Sequence, residues 1–241
     1  MPAADNLPSF CIALPTYNEA AGIENCVTNI SLFLSTIPTR TAIIAVDDGS
    51  NDKTWEILLR LQRDLPSLII ERHAQNGGYG EAQRTLCRIA AENNFEYALV
   101  MDADGTQAPH FIGNFFEPMR RRVDFVKATR YDKGGSVDGV SWQRYWISRV
   151  GNLIARLMMG LPITDFSNGF RAIGTQAWTR IATTERDFVV LIEEVYLARK
   201  IGLSFDEVPY ILTVRKDDGA VSKFSYPWSI FWRFLRYVFK K

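Results

Sequence analysis

The sequence predicts an α/β protein: a single domain on a mostly parallel central sheet flanked by helices. Two patterns carry that prediction. Short apolar runs alternate with longer amphipathic ones, the signature of βαβ units. Acidic side chains also follow three of the apolar runs, and open α/β sheets collect ligands beyond the carboxyl ends of their strands.

The elements follow in order. Phe10 to Leu14 reads as a buried strand, then the turn Pro15-Thr16-Tyr17-Asn18 leads to a helical pattern through Leu34. Ala42 to Val46 is the next strand, ended by Asp47-Asp48-Gly49-Ser50; Asp52 and Thr54 open a helix carrying Trp55, Leu58, Leu59 and Leu61. Leu68 to Glu71 is a third strand. Gly77-Gly78-Tyr79-Gly80 turns into a helix through Asn93, and Tyr97 to Met101 is a fourth strand stopping at Asp102. Beyond Arg130 the pattern is less regular: a helix around Trp146 to Met159, a strand near Phe170 to Ile173, a helix around Ile192 to Lys200, and a closing segment from Trp228 to Lys241.

Composition narrows the classes. The 241 residues hold 28 basic and 27 acidic side chains, a formal net charge of +1, which gives no electrostatic footprint for nucleic acid. An apolar fraction of 47% excludes disorder. No uncharged apolar run reaches the roughly 18 residues of a membrane span. The N-terminus lacks the basic region and apolar run of a signal peptide. Cys11, Cys26 and Cys87 show no metal-ligand spacing and read as core residues in a reducing compartment. These features predict a cytoplasmic protein.

Asp102-Ala103-Asp104 is the sharpest local feature. Residues two apart on a strand point the same way, so both carboxylates can face one divalent cation. Mg²⁺ and Mn²⁺ prefer hard oxygen ligands and complete their shell with substrate phosphates; two carboxylates are too few for a protein-only cage. Alone, this pair also reads as a solvated turn with helix-capping acids. Asp47-Asp48-Gly49-Ser50 reads as a turn and cap or as a carboxylate for a base or ribose. The glycines at 77, 78 and 80 read as a flexible turn or as backbone that approaches a phosphate at a helix N-terminus.

Taken together, Pro15-Thr16-Tyr17-Asn18-Glu19, Asp47 to Thr54 and Met101 to Gly105 resemble the family 2 inverting glycosyltransferases, whose fold is the Rossmann-like GT-A fold. Ser148 to Asn152, Asp165 to Arg171, Gly219 and Ser222-Lys223 are similar to the dolichyl-phosphate mannosyltransferase and polyprenyl-phosphate glycosyltransferase branch. The resemblance implies that Pro15, Tyr17, Glu19 and Asp48 hold the base and ribose, with backbone from Val46. It implies that Asp102 and Ala103 face the nucleotide and that Asp104 is the main metal ligand, with Thr106 or Gln107 as a second. Arg130, Arg144 and Ser148 match a lipid-phosphate pocket, and Arg215 and Lys223 a loop that closes over the donor diphosphate. The Arg215 to Lys223 segment is two residues longer than usual for the branch, so Lys216 is a substitute for either basic residue.

The chemistry of the acceptor bears on that branch. Transfer to a sugar hydroxyl requires a general base, whereas a lipid phosphate is already anionic. His73 and His110, the only histidines, lie in no catalytic motif, and Gln143-Arg144-Tyr145-Trp146 is not the Gln-x-x-Arg-Trp signature of processive polysaccharide synthases. The expected work is alignment and neutralisation of the leaving diphosphate by metal and Arg or Lys. The implied donors are GDP-mannose first and UDP-glucose second, and the acceptor a polyprenyl phosphate. Two rivals stand beside this: a soluble transferase acting on a cell-envelope glycan hydroxyl, with Asp165 or Glu193-Glu194 as base, and an inactive nucleotide-sugar-binding scaffold.

Residues 1–225 are read as the catalytic domain and 226–241 as an amphipathic C-terminal helix. In the tail Ser229, Arg233, Arg236 and Lys240 form one narrow polar stripe among aromatic and aliphatic residues. At about 1.5 Å per residue the segment is too short for the roughly 30 Å hydrocarbon core. It reads as an interfacial helix on the cytoplasmic membrane face or as a helix packed on the sheet. The Trp146 to Met159 helix is likewise read as touching lipid or as core.

Overall fold

The computed structural model describes residues 7–132, 134–137, 142–213 and 228–240, with the backbone alone for Gln143, Arg144, Trp228, Ser229 and Phe231. The first half alternates as expected: β1 (Phe10–Thr16), α1 (Ile23–Leu34), β2 (Thr41–Asp47), α2 (Thr54–Asp64), β3 (Leu68–Arg72), α3 (Tyr79–Glu92) and β4 (Tyr97–Val100). A 3₁₀ helix (Pro109–Phe115) and α4 (Phe116–Arg120) lead to β5 (Phe125–Thr129) and the two-residue β6 (Ser136–Val137). Then come α5 (Trp142–Met159), β7 (Arg171–Gly174), α6 (Thr175–Trp178), α7 (Val190–Lys200), β8 (Phe205–Pro209), β9 (Ile211–Leu212) and α8 (Trp228–Val238).

The seven-stranded sheet has the order β3-β2-β1-β4-β7-β5-β8. β1 pairs in parallel with β2 and β4, so the three acid-bearing carboxyl ends are neighbours. β7 alone runs antiparallel, between β4 and β5. Its reversal brings its first residue, Arg171, and the loop before it to the carboxyl ends of β4 and β5. β6 and β9 form a separate small parallel pair.

Strand alternation sorts the core into two layers. Phe10, Ile12 and Leu14 face α1 and α2 with Ile23, Val27, Ile30 and Leu58. Cys11 and Ala13 face the other way, toward Ala82, Leu86 and Ile89 of α3 and Ile192 and Val195 of α7. Each fully buried Leu, Ile or Phe contributes about 1.5–3 kcal/mol. The three cysteines are free, two of them buried, and burial pushes the Cys26 and Cys87 thiols up to about 12.

Two strands of the seven-stranded sheet, and the short pair β6 and β9, are additions to the sequence reading. β5 is buried along its whole length, yet Lys127 interrupts its apolar run. β8 carries Asp206 and Glu207, which mask its pattern. α5 begins four residues earlier than expected. α8 packs on the domain against α7 and α5, with Val238 buried and Ile230, Phe234 and Tyr237 against the core. Arg233 pairs with Glu185 and Asp187.

Candidate active site

The loops after β1 and β2 are stitched together by hydrogen bonds. Asn18 N–H donates to Ser50 Oγ (2.9 Å), Asn51 N–H to Asn18 Oδ1 (2.9 Å), and Glu19 N–H to Thr54 Oγ1 (2.8 Å). Asp52 accepts from Thr54 N–H and from Ala20 N–H. Pro15 lies opposite Val46 in the β1–β2 register. The Val46 carbonyl already accepts from the Thr16 hydroxyl (2.9 Å). Tyr17 is exposed beyond them.

Asp48 is buried and its carboxylate is already engaged. It accepts from Gly77 N–H (2.9 Å) and Gly78 N–H (2.8 Å) and contacts His73 Nδ1 (2.7 Å). The glycine turn therefore presents its first two amides to this aspartate rather than opening them toward a phosphate. Its glycines answer to packing: a Cβ on Gly78 would lie 2.4 Å from the Arg186 carbonyl oxygen, and one on Gly80 2.0 Å from that of Glu185. Neighbouring Asp47 is buried against Arg72 (3.1 Å).

At the end of β4, Asp102 and Asp104 share one environment with Glu19. Burial first, then Asp104, then Glu19, push the Asp102 carboxyl up to about 7, against the Arg171 cation. Crowded carboxylates disfavour one another's charge, and a divalent cation with hard oxygen ligands fits such a pair. Ala103 is buried in the core, so only its backbone is available to a ligand. The Thr106 hydroxyl donates to Asp104 Oδ1 (2.7 Å), as does its N–H (3.0 Å). Gln107 turns to Asp102. It is buried, its amide nitrogen donates to Asp102 Oδ2 (2.7 Å), and its amide oxygen accepts from Asp102 N–H (3.0 Å). Both ends of its side chain engage Asp102, while Thr106 is the neighbour that contacts Asp104. Among the described residues no three His, Cys, Asp or Glu side chains form a metal-binding group.

A second cluster lies one loop away. The Arg130 guanidinium grips Asp165 through Nε to Oδ2 (2.7 Å) and Nη2 to Oδ1 (2.9 Å) and reaches Ser167 Oγ (3.0 Å). Against the burial that would raise it, Arg130 holds the Asp165 carboxyl below the usual range. Ser148 Oγ bonds the Tyr131 hydroxyl (2.7 Å), while Asn152 Nδ2 reaches both the Ser148 carbonyl (2.8 Å) and Ser167 Oγ (3.2 Å). Arg130 and Ser148 thus belong to one network. The Arg144 side chain, Arg215 and Lys223 lie outside what the structure describes.

The loop 165–169 joins the two clusters. Asp165 and Ser167 hold Arg130, while Gly169 abuts Asp102: a Cβ there would meet Tyr79 Oη at 3.0 Å and Asp102 Oδ1 at 3.2 Å. Beneath the loop sits a buried network absent from the sequence expectations. Arg171 binds Glu194 through Nε (2.5 Å) and Nη2 (3.1 Å), plus Gln83 and the Gly169 carbonyl. Glu194 also accepts from Trp178 Nε1 (2.8 Å). Lys127 donates to the Asn168 carbonyl, and burial, then Arg171, depress its pKa to about 7. Glu193 holds the amides of Thr184 (3.0 Å) and Glu185 (2.8 Å).

A parallel sheet with acids at three adjacent carboxyl ends, and an antiparallel strand bringing a loop to the same edge, defines a GT-A-type α/β protein. The fold matches crystal structures of glucosyl-3-phosphoglycerate synthase from Mycobacterium tuberculosis. For the complex with Mn²⁺, uridine-diphosphate and glucosyl-3-phosphoglycerate, the TM-score is 0.70 at 18% identity, covering 98% of this chain and 80% of that one. For the complex with Mg²⁺ and uridine-diphosphate it is 0.68 at 19% identity, covering 97% and 77%. The model of glycosyl transferase family 2 matches residues 11–179, and the chain belongs to that family. Its relatives include polyprenol monophosphomannose synthase of Mycolicibacterium smegmatis, 28% identical over 89% of this chain and 80% of that protein. Undecaprenyl-phosphate mannosyltransferase of Micrococcus luteus is 27% identical over 84% and 83%. Dolichol-phosphate mannosyltransferase of Pyrococcus furiosus is 27% identical over 85% of this chain, which spans 56% of that protein's length.

Proposed function

We propose that the chain transfers a sugar, with inversion, from a nucleotide diphosphate sugar to a polyprenyl phosphate, working peripherally on the cytoplasmic membrane face. The observation that carries this reading is the state of the carboxylates outside the Asp102–Asp104 edge. Asp165 is locked by Arg130, Glu194 by Arg171 and Trp178, and Glu193 by two backbone amides. None is free to take a proton from a sugar hydroxyl, and an anionic phosphate acceptor needs no base. The three relatives, whose names all denote mannose transfer to a polyprenol-type phosphate, support the same acceptor.

In this reading Pro15, Tyr17, Glu19, Val46 and Asp48 border the base and ribose. Mg²⁺ or Mn²⁺ would be held by Asp104 with Asp102 and Thr106, and when bound supplies positive charge to the diphosphate. Arg130 and Ser148, with Arg144, orient the acceptor phosphate; Asp165 and Ser167 take the Nε and Nη2 side of Arg130, which leaves Nη1 for the phosphate. Arg215 and Lys223 would close over the leaving diphosphate. Aligning two anions and neutralising the charge that develops is the whole of the work.

The test is transfer of radiolabel into an organic-extractable product. Purified protein, Mn²⁺ or Mg²⁺ and a short polyprenyl phosphate are mixed with labelled GDP-mannose or UDP-glucose in parallel. Metal-dependent label in the organic phase is expected, with GDP-mannose as the donor. No organic label, with nucleotide still bound, overturns the acceptor.

A further inference from the structure

The C-terminal helix reaches back to the glycine turn that holds Asp48. Arg233 of α8 bridges two acids of the segment between α6 and α7: Nη1 donates to Asp187 Oδ2 (2.6 Å) and Nη2 to Glu185. The Tyr237 hydroxyl, one turn further along α8, lies 3.1 Å from both Glu185 Oε1 and Glu193 Oε1 and donates to one at a time. Between the two bridged acids stands Arg186, whose carbonyl accepts Gly80 N–H (2.8 Å). The segment lies so close to the turn that neither Gly78 nor Gly80 has room for a Cβ. From α3, Arg84 Nη1 holds the carbonyls of Thr183 (3.3 Å) and Glu185 (3.2 Å).

The turn carries the position onward. Its Gly77 and Gly78 amides donate to the Asp48 carboxylate at 2.9 and 2.8 Å, so the contacts from Arg233 to Asp48 are continuous. Phe188 adds a second contact by stacking on Tyr79, with ring centroids 4.7 Å apart. The acceptor-side cluster is held separately, by the bonds among Arg130, Asp165, Ser148, Tyr131, Asn152 and Ser167.

The Arg233 side chain is 39% exposed and that of Asp187 37%, and ion pairs this open to water contribute little to stability. What the guanidinium supplies is geometry. The carboxylates of Glu185, Asp187 and Glu193 crowd around one cation and one hydroxyl, and like charges left without that cation repel one another. Removing it spreads the acids on either side of Arg186 and moves the carbonyl between them.

We propose that Arg233 is a positioning residue for the nucleotide-sugar donor: by bridging Glu185 and Asp187 it sets the Arg186 carbonyl, the glycine turn and, through the turn, the Asp48 carboxylate. In the donor reading above, on which this rests, Asp48 borders the base and ribose.

Calorimetric titration with GDP and with UDP, each with Mn²⁺ and without acceptor, reads the donor side alone. Wild type should bind one of them, and R233Q should bind it about fivefold more weakly with a melting midpoint near that of wild type. R233K, which restores the charge but not the two-pronged bridge, should lie between. R236Q, on the exposed side of α8, should match wild type. In transfer assays R233Q should raise the donor KM and leave the acceptor KM unchanged. On a D48N background it should cost nothing further, because its effect passes through that carboxylate. Should R233Q fail to fold, the same comparison is read from Y237F, which keeps the ion pairs and should weaken the nucleotide about twofold. Unchanged nucleotide affinity, equal rises in donor and acceptor KM, or losses additive with D48N overturn the proposal and leave the donor reading standing. A wild type that binds neither nucleotide removes the donor reading and the proposal with it.

Discussion

Arg130 and Asp165 are joined by two parallel contacts of 2.7 and 2.9 Å, with the carboxylate fully buried and the guanidinium still reaching solvent at its edge. A guanidinium fixed in this way is aimed before any ligand arrives. Removing Asp165 leaves the cation buried without its partner, which costs about 3–5 kcal/mol. Asp165→Ala should lower the unfolding free energy by that amount and raise the acceptor KM far more than the donor KM. An unchanged acceptor KM in the folded variant would show that Arg130 needs no aiming.

Asp102 makes stability depend on pH. Its carboxyl is pushed up to about 7, so between the ordinary carboxylate range and that value the folded chain holds its proton more tightly than the unfolded one. Stability from this group is present at acid pH and lost as pH rises through that window. In metal-free buffer Asp102→Asn should match wild type near pH 4 and exceed it by roughly 4 kcal/mol at pH 8, while transfer activity is lost. Thermal melts across that range read the difference; a gap independent of pH would refute it.

Glu194 separates a structural acid from a catalytic one. Its carboxylate is buried and binds both the Arg171 guanidinium and the Trp178 indole. Glu194→Gln keeps the shape but removes the charge facing a buried cation, at a cost of about 3 kcal/mol or more. Urea unfolding should show that loss. Full stability with abolished transfer would instead mark Glu194 as a base and revive the hydroxyl-acceptor alternative.

The legible parts of this chain were those whose pattern is local. β1, β2, β3 and β4 are short apolar runs closed by turn residues, and the acids at their ends follow from strand polarity alone. β5 and β8 were hidden because a buried Lys127, and Asp206 with Glu207, break the apolar period; their burial comes from partners far away in sequence. The same is true of the site. Asp102 and Asp104 announce themselves, but the engagement of Asp48 by Gly77, Gly78 and His73 depends on how α3 is docked. The inward turn of Gln107 depends on the turn over residues 102–107, which only the folded backbone reveals.

Gly169 offers the most direct test of how the two clusters are coupled. A methyl group on its Cα would meet Tyr79 Oη at 3.0 Å and Asp102 Oδ1 at 3.2 Å. Both contacts are tighter than side chains ordinarily make, so one neighbour must yield. The Tyr79 hydroxyl is buried, makes no hydrogen bond of ordinary geometry among the described residues and has only the edge of the Arg171 guanidinium beside it, so removing it forfeits about 1 kcal/mol or less. Gly169→Ala should therefore displace Asp102 and cut kcat about tenfold or more, for a stability cost of about 1–3 kcal/mol. Tyr79→Phe alone should be near neutral, and Tyr79→Phe with Gly169→Ala should recover part of the lost rate by giving the methyl group the hydroxyl's space. Additive losses in that double-mutant cycle would mean that the two residues do not share the space beside Asp102.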